Sequence, residues 1–193
     1  AKAKAADILA AAASDLGLEF VDLRLPNLFG EHGRPFYNAV TATFCHILAE
    51  GGQPKVENDK ELTQLHAQNA AALLIGNANP EDQAELEVRQ TVSGLLERLT
   101  TFAHVYGTGE IPNIASTFDR DLFNTYRSYT FDTQTPIGLT RHADARGSFF
   151  EIIRSHGGSG QSSFSTTVPG VTARNVPPPV PVTSGHGSGS PRQ

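Results

Sequence analysis

The stretch LEFVDLRLPNLFG, residues 18–30, decides how the fold is read. Leu18, Phe20, Val21, Leu23 and Leu25 form an almost continuous apolar run between Gly17 and Pro26. A short run of that kind over 18–24 predicts a buried parallel strand. Upstream, AKAADILAAAASDL (3–16) predicts a helix, because alanine is the best helix former and Ile8, Leu9, Ala12 and Leu16 share a face. Gly17 is a natural stop for it. Helix, strand and loop make half of an α/β unit. The loop PNLFGEHGRP (26–35) then lies at the strand's carboxyl end, where open α/β sheets bind ligands. Asn27 can donate and accept hydrogen bonds there, to a ligand or simply to its own turn; the residues alone leave both open. His32 shares that loop. Lys2 and Lys4 flank the helix start, where a lysine either orients a ribose or is solvated.

Further along, Val40, Phe44, Ile47 and Leu48 predict a helix over about Tyr37–Glu50, ended by Gly51-Gly52. Lys55–Asn58 reads as a short strand and Leu65–Ile75 as a helix closed by Gly76. Asn79-Pro80 opens the longest expected helix, with Leu86, Val92, Leu95, Leu96, Leu99 and Phe102 as its buried stripe. Arg120–Tyr129 is a shorter one. From Pro136 the texture turns to alternating β-formers around Gly147, and QSSFSTTV is a further strand. NVPPPVPVTSGHGSGSPRQ (175–193) has almost nothing to bury, which predicts disorder or polyproline II. Its P-x-x-P spacing fits an aromatic groove, but a spacer is the plainer reading.

Composition narrows the function. The chain has 193 residues, enough for one large domain or two small ones at roughly 100–200 residues each. Apolar residues make up 38%, so a core can form over part of the length. A net charge of −5 argues against nucleic-acid binding through a basic surface. The single cysteine, Cys45, excludes an intramolecular disulfide and any multi-cysteine zinc site; it reads as a buried, inert thiol. No run approaches the roughly 18 apolar residues of a membrane span, and no signal-peptide pattern opens the chain. A cytoplasmic protein without membrane partners is expected. None of the seven histidines stands at zinc-ligand spacing, so no metal site is expected. The chain contains no methionine, and Ala1 is therefore expected to be a processed or partial start.

The segment RLPNLFGEHGRPFYNAVTATFCHILAEG (24–51) resembles the extended short-chain dehydrogenase/reductases of capsular polysaccharide and O-antigen synthesis. It is most similar to the bifunctional members that join a reductase to a C-terminal cupin. They carry R-x-P-N-L-F-G followed by P-x-Y-N-x-V-x-A-T-F-C, matched here by Arg24, Pro26–Gly30, Pro35, Tyr37, Asn38, Val40 and Ala42–Cys45. Glu61-Leu62-Thr63, FDRDLFNTYRSY (118–129) and HADARGSFFEIIRS (142–155) continue the likeness, which runs in order over about 1–174.

The resemblance implies an NAD(P)-dependent reductase of a UDP-4-keto-6-deoxy sugar, with epimerisation assigned to the cupin. It implies that Lys2 falls on the lysine of the family's Tyr-x-x-x-Lys pair, which holds the nicotinamide ribose and lowers the tyrosine pKa. Lys2, Pro26 and Asn27 would then touch the cofactor, and Asn27, His32, Tyr37 and Asn38 the nucleotide sugar. The parent family allows a homodimer. The tyrosine and the Gly-rich phosphate loop do not occur in these 193 residues, so no cofactor binding is expected from this chain alone. The expected fold is therefore α/β: an incomplete Rossmann-type reductase portion (1–78), a helical substrate-side region (79–134), a truncated cupin-like β segment (135–174) and a disordered tail (175–193).

Two departures matter. Where the family has a hydrophobic strand and paired aspartates after Glu61-Leu62-Thr63, this chain has Gln64, His66, Gln68 and Asn69. After Arg174 it reads Asn-Val-Pro-Pro, where the family has metal-binding histidines; a frame change near Arg174 would account for the switch. Two readings follow: a fragment of such a reductase, or a non-catalytic remnant or accessory piece lacking the cofactor half.

Overall fold

The computed structural model describes residues 2–133, 138–158 and 161–170. The predicted tail over 175–193 lies outside these residues. The chain opens with helix α1 (Lys2–Asp15) and reaches a short strand, β1 (Asn27–Phe29). Then come α2 (Val40–Ala49), β2 (Glu61–His66), α3 (Ala67–Leu74), a 3-10 turn (Pro80–Asp82), α4 (Gln83–Leu86) and β3 (Val88–Thr91). Two long helices follow, α5 (Val92–Gly107) and α6 (Thr117–Thr130). A separate antiparallel sheet is built from β4 (His142–Asp144), β5 (Gly147–Arg154) and β6 (Gln161–Thr167).

The first sheet has the order β1-β2-β3, with β1 parallel and β3 antiparallel to β2. Central β2 is covered on both faces, and its residues alternate between two apolar clusters. Leu62 packs into the main core with Phe29, Phe44, Cys45, Leu95, Leu99, Leu122 and Phe123. Leu65 points to a smaller cluster with Ala70 and Leu73, against which Leu23 and Leu25 lean. The two polar residues on the main-core side, Gln64 and His66, are buried and satisfied by partners discussed below.

Helix ends follow local chemistry. At Gly17 (φ +66°), the amides of Gly17 and Leu18 donate to the carbonyls of Ser14 and Ala13 and close α1. The same pair of bonds at Gly51-Gly52 ends α2. Thr91 caps α5 through its hydroxyl, which accepts from the Gly94 amide at 3.0 Å. Ser116 caps α6 by accepting from the Asp119 amide, and Asp119 also pairs with Arg98 of α5 at 2.7 Å.

Several expectations are corrected. Residues 18–24 form no strand, because a parallel strand needs a neighbour and none of the described elements pairs with this segment. The strand begins instead at Asn27, inside the expected turn, where β2 offers a partner. The helix expected from Tyr37 starts at Val40, since Phe36 and Asn38 hold left-handed backbone angles. Lys55–Asn58 is irregular, and the strand lies at Glu61–His66, so the helix expected from Leu65 begins only at Ala67. The long helix expected from Asn79 is broken: Val88–Thr91 pairs with β2, and Thr91 starts a new helix. The helix expected over Arg120–Tyr129 gains a turn at its start through the Ser116 cap. The strands around Gly147 and over QSSFSTT are present as read, forming β4–β6.

The second sheet joins the helical part through a backbone bridge between Ile111 and Ser155. The Ile111 amide donates to the Arg154 carbonyl at 2.7 Å and the His156 amide to the Ile111 carbonyl at 2.9 Å. Glu110 adds ion pairs to Arg154 (3.6 Å) and His156. The architecture is thus mixed α/β with two small sheets. Among the described residues, no helix is long and apolar enough to cross a membrane.

Candidate functional site at the strand ends

Strands β1 and β2 run parallel, so their carboxyl ends open on the same side. That is the side where α/β sheets present loops to ligands. Phe29 leads there into Gly30 and Glu31, and His66 leads into α3. His66 is 4% exposed, and its Nε2 donates to Glu31 Oε2 at 3.2 Å. Its ring also meets Phe29 edge-on, with centroids 5.2 Å apart. A Cβ at position 30 would stand 3.1 Å from Ala67 Cβ and 3.5 Å from His66 Nε2. Gly30 thus lets β1 close against α3, and the space it spares is filled by protein.

The loop that follows is held in an unusual shape. His32, Phe36 and Asn38 all have positive φ, between 51° and 60°. Such angles are costly for non-glycine residues and persist only where surrounding contacts impose them. Those contacts are present. The Tyr129 hydroxyl donates to the Gly33 carbonyl, the His32 amide donates to Ser128 Oγ at 3.1 Å, and the Phe36 amide donates to Thr43 Oγ1 at 2.9 Å. Helices α2 and α6 therefore clamp the loop over the strand ends. Burial pushes the Tyr129 phenol up to about 12, with the nearby Cys45 adding to the rise, so it stays a neutral donor at physiological pH. Cys45 is fully buried and burial pushes its thiol far up, which makes it an inert core residue as read.

The residues singled out in the sequence sit as follows. Asn27 opens β1, and its Nδ2 donates to the Thr63 carbonyl at 3.1 Å. It therefore ties β1 to β2, and its Oδ1 accepts nothing among the described residues. Pro26 lies partly buried just ahead. His32, Tyr37 and Asn38 are exposed on the clamped loop, with Arg34 over the Tyr37 ring at 5.4 Å. Lys2 stands exposed in the first turn of α1. Asn27, His32, Tyr37 and Asn38 thus belong to one strand-loop unit, and Lys2 belongs to a different element.

Sequence reading missed the Glu31–His66 pair and a buried polar chain behind it. In that chain, Gln64 Nε2 donates to Thr41 Oγ1 at 2.6 Å, and Gln90 Nε2 donates to Gln64 Oε1 at 2.7 Å. The available signal was the period-two spacing of Leu62, Gln64 and His66, hidden by the helical reading from Leu65. Glu31 brings a carboxylate to the end of β2 from the neighbouring loop.

No Gly-rich turn opens a helix among the described residues, and the one glycine at the strand ends is packed against Ala67 and His66. Among the described residues, no cluster of three His, Cys, Asp or Glu side chains could hold a metal. A concavity of about 910 Å³ lies away from these strand ends, between the Thr108–Glu110 turn and the second sheet, lined by His142, Arg146, Phe149, Glu151 and Arg154.

The fold is mixed α/β, with a loop clamped over the carboxyl ends of two parallel strands. No family model matches the sequence. The chain is 31% identical over 166 residues to the UDP-2-acetamido-2,6-beta-L-arabino-hexul-4-ose reductase of Pseudomonas aeruginosa, a match covering 82% of this chain and 44% of that protein. It is similar in structure to the capsular polysaccharide assembling protein CapF of Staphylococcus aureus, with a TM-score of 0.74 and 29% identity over 88% of this chain and 48% of that one. CapF bound to the inhibitor 3-isopropenyl-tropolone gives a TM-score of 0.70 at 29% identity, over 86% of this chain and 50% of that one. The chain spans about half the length of the relatives it matches.

Proposed function

We propose that this chain is the substrate-side part of an NAD(P)-dependent reductase for a UDP-linked 4-keto-6-deoxy sugar, working in capsular polysaccharide or O-antigen synthesis. The observation that carries the reading is the loop from Asn27 to Asn38, clamped in strained geometry at the carboxyl ends of β1 and β2. Likeness to a UDP-sugar reductase and to a capsular polysaccharide assembling protein supports the choice of substrate. In this reading Asn27 Oδ1 accepts a hydrogen bond from the ligand, while its Nδ2 stays fixed on Thr63. His32, Tyr37 and Asn38 cover the nucleotide sugar, and Glu31–His66 holds the base of the loop. Orientation of this kind is what a positioning loop contributes to hydride transfer. Lys2 is assigned the ribose-facing role only together with a cofactor-binding half.

A second reading, a non-catalytic remnant or accessory piece, is favoured by one specific fact. The 193 residues contain neither a Tyr-x-x-x-Lys pair nor a Gly-rich phosphate loop. The two readings separate in a titration of the purified chain with UDP-N-acetylglucosamine, followed by amide NMR shifts. The substrate-side reading expects shifts confined to 27–38 and at least tenfold weaker binding in Asn27→Ala. Absence of shifts at millimolar ligand overturns it. Stoichiometric NADPH binding by the chain alone would overturn the remnant reading.

A further inference from the structure

The second sheet meets the helical part at a backbone bridge, and charged side chains crowd around it. The bridge is parallel, with the Ile111 amide on the Arg154 carbonyl at 2.7 Å and the His156 amide on the Ile111 carbonyl at 2.9 Å. Glu110, next to it in the chain, faces Arg154 at 3.6 Å and the His156 ring, whose Nε2 meets Glu110 Oε2. On β5, Glu151 also holds Arg154, at 3.0 Å. On the β4 side of the concavity, His142 is exposed and Asp144 is paired with Arg146 at 2.6 Å. Gly157 fits tightly at the same junction: a Cβ there would stand 2.9 Å from Asn113 Cα. Glu110, Glu151 and Arg154 also line the concavity of about 910 Å³, with the Thr108–Glu110 turn as one wall and β5 as another.

We propose that Glu110, His156 and Arg154 form a pH-sensitive latch, which fastens the Thr108–Glu110 turn to β5 when His156 is protonated and loosens when it is neutral. Histidine is the side chain whose charge changes between about pH 5 and 8. With His156 protonated, the Glu110 carboxylate lies between two cations, and its bond to Nε2 is charge-assisted. With His156 neutral, that bond loses its charge assistance and Glu110 keeps Arg154 as its one cation among the described residues. Arg154 and His156 are about half-exposed, so the added attraction is modest and is screened by salt. The two bridge bonds and the close fit of Gly157 fix the geometry; the charges tune how often it opens. Opening separates two walls of the concavity, so the latch gates that cleft. None of this rests on the proposed reductase reading.

The test is hydrogen exchange of the Ile111 and His156 amides in the full chain, expressed as protection relative to the intrinsic rate at each pH. At low salt, protection should be about threefold higher near pH 5.5 than near pH 8, and roughly 0.5 M sodium chloride should level the two. His156→Gln keeps a donor but has no charge to gain, so it should abolish the pH difference. Glu110→Gln should do the same from the other side of the pair. Gly157→Ala should lower protection at least tenfold at both pH values, because its clash is with backbone. Amides within the β5–β6 pair should keep their protection in every variant, which reports that the second sheet remains folded. Equal protection at the two pH values in the parent chain overturns the proposal. So does a pH difference that survives in His156→Gln, which would assign it to another group such as His142. Undiminished protection of Ile111 in Gly157→Ala overturns it as well, since turn and sheet would then not be joined at this bridge.

Discussion

Residues 2–25 are richer in apolar side chains than residues 27–130 and yet bury fewer of them. In residues 27–130, Leu95, Leu99 and Leu122 are fully buried between α2, α5, α6 and the sheet. In residues 2–25, Leu16 and Leu18 are 73% and 63% exposed, and only Leu23 and Leu25 lean on a cluster. The difference lies in the availability of neighbours. Helices α5 and α6 meet each other and α2, whereas α1 meets no layer, so its apolar face gains nothing from folding. The second sheet is intermediate: its hairpins satisfy the backbone, yet Ile152, Ile153 and Phe164 remain exposed.

The contrast can be tested by mutation. Leu122→Ala should cost about 2–5 kcal/mol by opening a cavity in the main core, whereas Leu16→Ala should stay within roughly 0.5 kcal/mol. Urea unfolding of the two variants measures this, and equal losses would mean that α1 is packed in solution. Glu31→Ala comes next, at about 1–3 kcal/mol, because it leaves the buried His66 nitrogen without a partner. Raised exchange over 30–38 should accompany it, while α1 amides stay unchanged. Ser116→Ala should cost about 1 kcal/mol through loss of the α6 cap, visible in the thermal midpoint.

The smallest effect at neutral pH belongs to Tyr126. Burial, with Cys45 and Tyr106 adding to it, pushes its phenol up to about 12, against about 10 in the unfolded chain. The folded form then holds its proton where the unfolded form has lost it. Its contribution to stability is complete below about pH 10 and is lost progressively as pH rises toward 12. Tyr126→Phe should therefore flatten the alkaline decline of the urea midpoint between about pH 10 and 12. An unchanged slope would show that Tyr126 does not drive the decline.

Much of this was legible locally. The stops at Gly17, Gly51 and Gly76, the apolar stripe Val92–Leu95–Leu99–Phe102 and the inert Cys45 follow from chemistry within a few residues. So does the β texture around Gly147, since a hairpin supplies its own partner. What failed was every decision that depended on a distant strand. Residues 18–24 look more strand-like than Asn27–Phe29, yet only the latter has β2 beside it. Val88–Thr91 continues a helical stripe, yet antiparallel pairing with Glu61–Gln64 draws it into the sheet.

By itself, then, the sequence determined where helices stop, which side chains are apolar enough to bury, and the R-L-P-N-L-F-G loop as the place to look for a ligand. Tertiary structure alone decided which apolar segment becomes a strand, that Glu31 meets His66 across 35 residues, and that His32, Phe36 and Asn38 are forced into left-handed geometry. The physical reason is that capping and turn chemistry act within a few residues. Sheet pairing, burial and backbone strain depend on groups that only the folded chain brings together.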